Sequence, residues 1–367
     1  MQIFENPKGR LASDVVIKAG LIQWKSPSNI AIIKYWGKHG RQLPRNPSIS
    51  FTLSNAFTET IVRYGSRENE SVGIQLQFQF EGKPNKAFGD KVERFLENMI
   101  PFFPFLEQVD LVIDSSNSFP HSAGIASSAS AMSALALCLC SMEKTLIGGL
   151  TTEKEFLQKA SFISRLGSGS ACRSVYPIMG QWGGSPIDLT CSDLYATPYE
   201  TEVHPVFHSF HDDIMIVSKA EKSVSSRAGH GLMENIIFAD NRYLQANQRF
   251  EQLLLALKDG DIPTFGKIAE DEALTLHALM MASEPSYILM QPNTLTMIER
   301  IRAFRTETNL QVYFSLDAGP NIHLLYPNEI KTEIQAFIDR DLVPLCEDGV
   351  YISDQVGKGP TEVVGQG

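Results

Sequence analysis

The chain has 367 residues, of which 43% are hydrophobic and 20% are charged. At roughly 150 residues per domain, this length predicts two domains. The composition is that of a globular protein and excludes extended disorder and fibrous architectures. The formal net charge of −10 argues against a nucleic-acid-binding protein, because such proteins neutralise phosphates with an extended basic surface.

The sequence also bears on location. No apolar run approaches the roughly 20 residues that span a bilayer, and the best candidate, residues 129–140, is short and rich in Ala and Ser. Residues 1–10 lack the apolar stretch of a secretory signal. The five cysteines have no spacing typical of a disulfide framework or a zinc site. We therefore expect a cytoplasmic protein that does not contact a membrane.

In chain order, the first predicted strands are residues 51–64 and 74–80, which alternate apolar and polar side chains. Turn-type sequence follows at residues 81–84, and we expect the two strands to pair antiparallel. Residues 86–99 have apolar side chains at helical intervals and predict a helix, and residues 109–114 predict another strand.

A Ser/Gly-rich segment then leads into a predicted helix that continues through Leu139. The composition changes at residues 195–211, which are rich in His, Pro and Thr and follow no period. We place a domain boundary there. Residues 1–209 would form an N-terminal domain and residues 210–367 a C-terminal domain.

The second half mixes strands and helices as well. Its predicted strands are residues 213–218 and 311–316, and its predicted helices are residues 232–257, 262–281 and 293–306. The elements do not follow a strict βαβ alternation, so the sequence predicts an α+β architecture rather than a doubly wound parallel sheet.

Residues 119–129, Phe-Pro-His-Ser-Ala-Gly-Ile-Ala-Ser-Ser-Ala, join a predicted strand to an Ala-rich helix. Such a loop can offer backbone N–H groups and hydroxyls to a phosphate at the positive end of the helix. A pair of N-cap serines before a buried helix explains the pattern equally well. The Gly-Lys-Ser/Thr ending of a Walker loop is absent.

Residues 165–173, Arg-Leu-Gly-Ser-Gly-Ser-Ala-Cys-Arg, again combine glycines, hydroxyls and cations. The segment is not a dinucleotide fingerprint, because Cys172 occupies the position of the third glycine. We interpret it as a second phosphate-binding segment. A plain turn that carries a surface arginine is the alternative.

Residues 27–38, Pro-Ser-Asn-Ile-Ala-Ile-Ile-Lys-Tyr-Trp-Gly-Lys, deliver Lys34 and Lys38 together with two aromatic rings. Paired lysines in a partly apolar setting suit a diphosphate or a carboxylate, whose desolvation is offset by nearby positive charge. Considered alone, the segment is explained more simply as a solvated strand end.

Asp317 follows the predicted strand 311–316 and precedes a Gly-Pro turn. An aspartate at such a position commonly accepts hydrogen bonds from the turn, so its functional interpretation depends on the other segments. Two weaker candidates are residues 224–227, Val-Ser-Ser-Arg, and His277.

Taken together and in this order, the segments resemble the GHMP kinase superfamily and, within it, the mevalonate diphosphate decarboxylase family. The resemblance covers nearly the whole chain. Residues 27–38 look like the N-terminal signature of the family, residues 46–53 like the strand that follows it, and residues 167–174 and 317–321 complete the set. Residues 119–129 alone would indicate only the superfamily.

The resemblance implies a fold and a reaction. The fold would have two α+β domains with the active site in the cleft between them. The reaction would be the ATP-dependent decarboxylation of (R)-5-diphosphomevalonate to isopentenyl diphosphate, ADP, phosphate and CO₂, with Mg²⁺ required. The expected partners are mevalonate 5-diphosphate and ATP, with no nucleic acid and no membrane, and the expected assembly is a homodimer.

The resemblance also implies residue roles. Asp317 would orient the 3-hydroxyl of the substrate or take its proton, Lys34 would lie beside Asp317 and the transferring phosphoryl group, and Arg173 would hold the substrate carboxylate until it leaves as CO₂. The implied substrate-binding residues are Asn29, Tyr35, Lys38, Ser168, Gly169, Ser170, Arg173, Ser226 and Arg227. The implied ATP-binding residues are Ser122, Gly124, Ala126, Ser127 and Ser128, and Ser128 would also bind Mg²⁺.

Three residues depart from the family pattern near the nucleotide loop: His121 replaces a small hydroxyl residue, Ile125 replaces Leu, and Pro47 replaces Ser. The first alternative function is a phosphomevalonate decarboxylase or a small-molecule kinase like mevalonate 3-kinase. The second is a non-catalytic sensor with the same fold. A kinase or a sensor would be expected to lack at least one of Lys34, Arg173 and Asp317. Because all three residues are present, the sequence favours decarboxylation.

Overall fold

The computed structural model describes residues 2–12, 15–67, 73–120, 125, 127–199, 203–220, 224 and 226–363. The side chains of Gln2, Ser226 and Arg227 lie outside this description.

The strands are β1 (Gly20–Ile33), β2 (Lys38–His39), β3 (Leu43–Pro44), β4 (Ser48–Ser66), β5 (Gln75–Phe80), β6 (Lys83–Pro84), β7 (Val109–Asn117), β8 (Met179–Trp182), β9 (Thr197–Pro198), β10 (His211–Met215), β11 (Tyr313–Leu316), β12 (Ile322–Tyr326), β13 (Tyr351–Ile352) and β14 (Thr361–Glu362). The helices are α1 (Lys86–Met99), α2 (Ser127–Ile147), α3 (Glu153–Gly167), α4 (Ser226–Leu232), α5 (Ala239–Asp259), α6 (Ile262–Met281), α7 (Pro292–Thr308) and α8 (Lys331–Phe337). The expected α+β class is confirmed.

The larger sheet is built on the long antiparallel pair β1 and β4. Its order is β14-β1-β4-β7-β5-β6, with β8 paired to β4 and β9 paired to β8. The expectation that β4 and β5 pair antiparallel is wrong, because β7 lies between them and pairs antiparallel with β4 and parallel with β5. Local alternation defines each strand, whereas the neighbour of a strand is set by contacts that are remote in sequence.

The smaller sheet has the antiparallel order β11-β12-β10-β13. Helix α6 contacts both β11 of this sheet and β1 of the larger sheet. One buried apolar cluster joins side chains of the two sheets and of α6. It includes Ile30 and Phe51 from the larger sheet, Leu325 from the smaller sheet and Phe265 from α6. This shared core brings the end of β1 close to the end of β11, where the candidate site lies.

Helix α2 is long and apolar enough to cross a membrane by length and composition, and 67% of its apolar window is buried inside the protein. It packs against β1, β4 and α3. Its small residues, such as Ala129 and Ala136, are fully buried. A helix buried on most sides carries apolar residues all round, so packing inside the protein accounts for its composition.

The predicted elements agree with the structure to different degrees. The bounds of α1 and α6 coincide with the prediction, whereas α5 begins at Ala239 because a short 3₁₀ turn, Met233–Asn235, comes before it. Helix α3 was not predicted, although its start carries a capping box in which Thr152 and Glu155 each accept a backbone N–H of the other.

Candidate active site

The centre of the candidate site is a lysine–aspartate pair. Lys34 directly follows β1 and is only 2% exposed. Its Nζ donates to Ser315 Oγ at 2.9 Å and lies 3.3 Å from Asp317 Oδ1. Ser315 belongs to β11 and Asp317 directly follows that strand, so the pair spans both sheets. The predicted neighbourhood of Lys34 and Asp317 is therefore present.

The backbone of Lys34 is fixed by a buried ion-pair network. Its N–H donates to Glu272 Oε2 at 2.8 Å, and its carbonyl accepts from the Asn46 side chain at 3.1 Å. Glu272, on α6, receives two hydrogen bonds from Arg242 at 2.7 and 2.5 Å and one from Arg249 at 2.8 Å. The network holds the lysine in one place without using its ammonium group.

Burial lowers the pKa of Lys34 below its ordinary value, and the charges of Asp317 and Glu272 offset part of that effect. A buried ammonium loses its hydration and is stabilised only by the anions and dipoles beside it. The lysine is therefore sensitive to any change at Asp317.

The turn that carries Asp317 is held through its backbone. The Asp317 carbonyl accepts the Gly319 N–H at 2.7 Å and lies 3.1 Å from His277 Nε2. His277 thus supports the turn from α6 while the Asp317 carboxylate faces the cavity. That contact is the role the structure offers for the weaker candidate His277.

Arg173 supplies a second buried cation, 2% exposed. Its Nη1 donates to Ser48 Oγ at 2.7 Å, and its Nε donates to Ser50 Oγ. Its Nη2 lies 3.4 Å from Asn29 Oδ1. Burial lowers the pKa of Arg173, while the negative charge of Asp317 acts in the opposite direction. The serines at the start of β4 fix the plane of the guanidinium group.

A cavity of about 880 Å³ joins these groups. The predicted site residues that line it are Asn29, Lys34, Tyr35, Lys38, Ser128, Ser168, Gly169, Ser170, Arg173 and Asp317. The structure thus brings the separate sequence segments to one place.

Tyr35 has a buried hydroxyl with no hydrogen-bond partner among the described residues. Its ring packs on Trp182 at 4.7 Å and on His230 at 4.3 Å between centroids. A Cβ at Gly169 would lie 2.9 Å from the Tyr35 ring, so only glycine allows this approach. A buried, unsatisfied donor beside a cavity is suited to a ligand oxygen.

The serines at the start of α2 differ in position. Ser128 lines the cavity, and its Oγ lies 3.2 Å from Ser168 Oγ. Ser127 begins the helix, and its carbonyl accepts a hydrogen bond from Ser130 Oγ at 3.2 Å. The two predicted phosphate-binding segments therefore meet at Ser128 and Ser168.

Part of the predicted set falls on residues that the structure does not describe. Ser122, Gly124 and Ala126 lie outside the described residues, as does His121. The backbone of Ser226 and Arg227 begins α4, but their side chains are outside the description. Of the other departures, Ile125 is buried in the shared core and Pro47 directly precedes β4. Their predicted roles stay predictions.

Sequence reasoning missed several residues that line the cavity. They include Arg41 and, on one face of α1, Lys91, Arg94 and Asn98. Spacings of three and four residues along a helix place side chains on the same face, but this pattern does not show that the face lines a cavity. These residues belong to none of the motifs.

His230 was missed as well and lines the cavity from α4. Arg165, at the start of the predicted phosphate-binding segment, is neither a surface arginine nor one of the residues that line the cavity. It is fully buried, and its guanidinium donates at 2.6 Å to each of the carbonyls of Leu194 and Arg41. It fixes the loop that carries the cavity residue Arg41.

The charge of the cavity opposes that of the whole chain. The described lining residues with full charges are Lys34, Lys38, Arg41, Lys91, Arg94, Arg173 and a single acid, Asp317. Such a cavity in a chain of net charge −10 concentrates positive potential where an anionic ligand would bind.

The donor set also bears on metal binding. Among the described residues, no group of three or more His, Cys, Asp or Glu side chains could hold a metal ion. The cavity offers the Asp317 carboxylate and the Ser128 hydroxyl as oxygen donors. Mg²⁺ is commonly bound by one or two protein oxygens together with substrate phosphates and water, so these donors fit Mg²⁺ that arrives with a nucleotide.

Comparison with known proteins decides the family. A family model described as the diphosphomevalonate decarboxylase-like N-terminal domain matches residues 26–192. A second, described as the mevalonate 5-diphosphate decarboxylase C-terminal domain, matches residues 213–361. The chain belongs to the mevalonate diphosphate decarboxylase family.

Relatives and solved structures agree with this assignment. The diphosphomevalonate decarboxylase of Candida albicans is 28% identical over 364 residues, which cover 92% of this chain and 96% of that protein. The mevalonate diphosphate decarboxylase of Staphylococcus aureus superposes with a TM-score of 0.80 at 25% identity and covers 95% of this chain and 99% of its own. A structure described as MDDEF in complex with MVAPP, AMPPCP and magnesium gives 0.79 at 26% identity, covering 94% of this chain and 99% of that chain.

Membership of the decarboxylase family explains why one cavity is lined both by the predicted nucleotide-binding segment and by the segment that carries the predicted catalytic aspartate. The same space is lined by Ser128 at the start of α2 and by Asp317 after β11. The two family models match the parts of the chain that supply these two residues. The motif resemblance and the GHMP kinase fold expected from sequence are thus confirmed.

Proposed function

We propose that this chain catalyses the ATP-dependent decarboxylation of (R)-5-diphosphomevalonate to isopentenyl diphosphate, ADP, phosphate and CO₂. The observation that carries the proposal is the Lys34–Asp317 pair at 3.3 Å in a cationic cavity that also contains buried Arg173. The relatives and neighbours are named for this activity. One of the similar solved structures is described as a complex with MVAPP, AMPPCP and magnesium.

Asp317 is assigned to the 3-hydroxyl of the substrate. It is the one carboxylate among the described lining residues, so it is the negatively charged acceptor there that can take the hydrogen bond of an alcohol and orient the alcohol toward a phosphate. A tertiary alcohol is a weak nucleophile, and its fixed position lowers the barrier to attack. Lys34 stabilises the charge that develops beside it.

Arg173 is assigned to the substrate carboxylate. Two serines and Asn29 already fix its guanidinium group, so it can bind a carboxylate with little further loss of side-chain freedom. After the 3-hydroxyl is phosphorylated, phosphate leaves with the electrons of the C–O bond. The electrons of the C–C bond to the carboxylate form the new double bond, and CO₂ is released.

The substrate diphosphate is assigned to the cavity wall around Tyr35 and Lys38. The Tyr35 hydroxyl is a buried donor without a described partner, and Lys38 contributes a cation at the same wall. Ser168, Gly169 and Ser170 add a hydroxyl-rich segment next to Tyr35. Ser226 and Arg227, at the start of α4, complete the set by resemblance.

The nucleotide is assigned to the part of the cavity lined by Ser128 and α1. Lys91 and Arg94 supply cations near that end, which suits a triphosphate. The loop residues Ser122, Gly124, Ala126 and Ser127 belong to this proposal by resemblance. Mg²⁺, held by the Ser128 hydroxyl and nucleotide oxygens, would neutralise charge on the β- and γ-phosphates.

Product analysis tests the proposal and separates it from its alternatives. The purified chain is incubated with MgATP and, in parallel, with mevalonate, mevalonate 5-phosphate or mevalonate 5-diphosphate, and ADP and CO₂ are measured. The proposal predicts CO₂ and ADP with the diphosphate. ADP without CO₂ would indicate a kinase, CO₂ with the monophosphate alone would indicate a phosphomevalonate decarboxylase, and the absence of both products with every substrate would favour a sensor.

A homodimer, a cytoplasmic location and the division at residues 209 and 210 are further parts of the proposal. The five cysteines are free, and four of them are buried, which fits a reducing compartment. Sedimentation of the purified chain is expected to show a dimer. A monomer at every micromolar protein concentration would contradict the proposed homodimer and leave the rest of the proposal unaffected.

A further inference from the structure

His230 occupies an unusual position in the cavity wall. It lies in α4 and is 8% exposed. Its ring packs against those of Tyr35 and Trp36, with centroid distances of 4.3 and 4.5 Å and interplanar angles of 38° and 35°. Contact with two rings leaves the imidazole few alternative orientations.

The protonation of His230 follows from its contact with Gly37. The Gly37 N–H donates to His230 Nδ1 at 3.0 Å. Nδ1 is therefore the acceptor, and the neutral ring carries its proton on Nε2. Burial, together with the positive charges of Lys38 and Arg173, lowers the pKa of His230 to about 3. The ring is thus a neutral hydrogen-bond donor at physiological pH.

The Nε2–H group has no hydrogen-bond partner among the described residues, although His230 lines the cavity. A donor at a cavity wall can bond an oxygen of a ligand in place of water. The neighbouring cations, Lys38 and Arg173, exclude a cationic ligand and favour an anionic oxygen. Of the two, Lys38 lies one residue from Gly37, which holds the ring.

We propose that His230 is a further substrate-binding residue, which donates its Nε2–H to an oxygen of the substrate diphosphate. The inference rests on the proposed function for the identity of the substrate. His230 is stacked on Tyr35 and bonded to the backbone between Tyr35 and Lys38, so it shares the wall assigned to the diphosphate. A fixed neutral donor adds direction to the charge that the lysine supplies.

Two substitutions separate this role from a structural one. In His230→Asn, the side-chain oxygen can take the place of Nδ1 and keep the contact with Gly37, while the donor at Nε2 is lost. In His230→Gln, the amide N–H can take the place of Nε2–H. His208→Asn, at an exposed histidine, is the matched control. Thermal unfolding of all three variants reports any loss of folding.

The readouts are steady-state kinetics and the inhibition constant of inorganic pyrophosphate. We expect His230→Asn to raise KM for mevalonate 5-diphosphate and the pyrophosphate inhibition constant by about tenfold or more, as for a lost hydrogen bond to a charged group. KM for ATP and kcat should change little. His230→Gln should recover most of the affinity, and the control should match the unmodified chain.

Two results would overturn the proposal: an unchanged KM in His230→Asn, or a raised KM with an unchanged pyrophosphate inhibition constant. Direct binding of pyrophosphate by calorimetry gives the same comparison without turnover. If the unmodified chain lacks decarboxylase activity yet pyrophosphate binding weakens only in His230→Asn, the proposed function fails while the contact stands. If all forms bind pyrophosphate equally, the contact fails whatever the activity.

Discussion

Lys34 Nζ lies 3.3 Å from Asp317 Oδ1, although the two residues are 283 positions apart in the chain. One follows β1 of the larger sheet and the other follows β11 of the smaller sheet. Helix α6 contacts both strands and carries Glu272, which holds the lysine backbone. Neither half of the chain can build this pair without the other.

Asp317→Asn should remove the negative charge and the basic oxygen beside the 3-hydroxyl while it keeps the size of the side chain. We expect kcat to fall by at least about 10²–10³-fold, the usual effect of losing one well-placed polar group. ADP and CO₂ formation should fall together. Asp348→Asn, at an exposed aspartate paired with Lys219, is the control and should retain full activity. A comparable loss in the control would show that the assay reports folding rather than chemistry.

The pH dependence of kcat should report Lys34. Burial lowers its pKa below the ordinary 10.5, and the protonated form is the one that stabilises developing negative charge. Activity should therefore fall as pH rises through this lowered pKa. Because Asp317 raises the pKa of Lys34, residual activity in Asp317→Asn should fall at a still lower pH. Identical alkaline limbs in the two proteins, recorded between pH 6 and 10, would contradict the coupling.

The stability contribution of Lys34 should change with pH in the opposite direction. The folded state holds this proton more weakly than the unfolded state, so it binds fewer protons between the lowered pKa and 10.5. Stability should thus rise with pH across that window relative to Lys34→Met. Urea unfolding of the two proteins at several pH values measures the difference, and a difference that does not vary with pH would contradict the shift.

Tyr35→Phe should affect binding more than folding. The Tyr35 hydroxyl is buried without a described partner, so its removal should leave the free energy of unfolding unchanged or increase it by up to about 1–3 kcal/mol. KM for mevalonate 5-diphosphate should rise about tenfold. Tyr176→Phe, at a buried tyrosine outside the set of cavity-lining residues, is the matched control. An unchanged KM in Tyr35→Phe would remove this residue from the binding site.

Glu272→Ala should unfold the chain at lower denaturant concentration. The substitution leaves Arg242 buried without its partner and frees the Lys34 N–H. Removal of one member of a buried ion pair typically costs about 3–5 kcal/mol. Urea unfolding measures the loss, with Glu251→Ala at an exposed position of α5 as the control. A loss below about 1 kcal/mol would show that the network does not hold this region.

Local sequence patterns predicted the bounds of some elements closely, but they could not predict the order of the strands in the larger sheet. The bounds of α6 follow from the Asp261 cap, a proline in the first turn and a long apolar period. The place of β7 between β4 and β5 could not be predicted in the same way, because strand order depends on contacts remote in sequence.

The residues of the candidate site also divide into those that motifs predicted and those that only the packing of helices places there. Lys34, Arg173 and Asp317 were found because motifs carry them, and the cavity brings them together. Arg94 and His230 belong to no recognised motif. Their place in the cavity depends on how α1 and α4 pack, which no local pattern encodes.

The ratio of CO₂ to ADP in a single turnover tests the central claim most directly. The enzyme, in excess over carboxyl-labelled mevalonate 5-diphosphate and with MgATP, is quenched at intervals, and both products are counted. Decarboxylation driven by phosphorylation predicts one CO₂ for each ADP in the unmodified chain and neither product in Asp317→Asn on the same timescale. ADP without CO₂ in the unmodified chain, or an unchanged CO₂ yield in Asp317→Asn, would contradict the account.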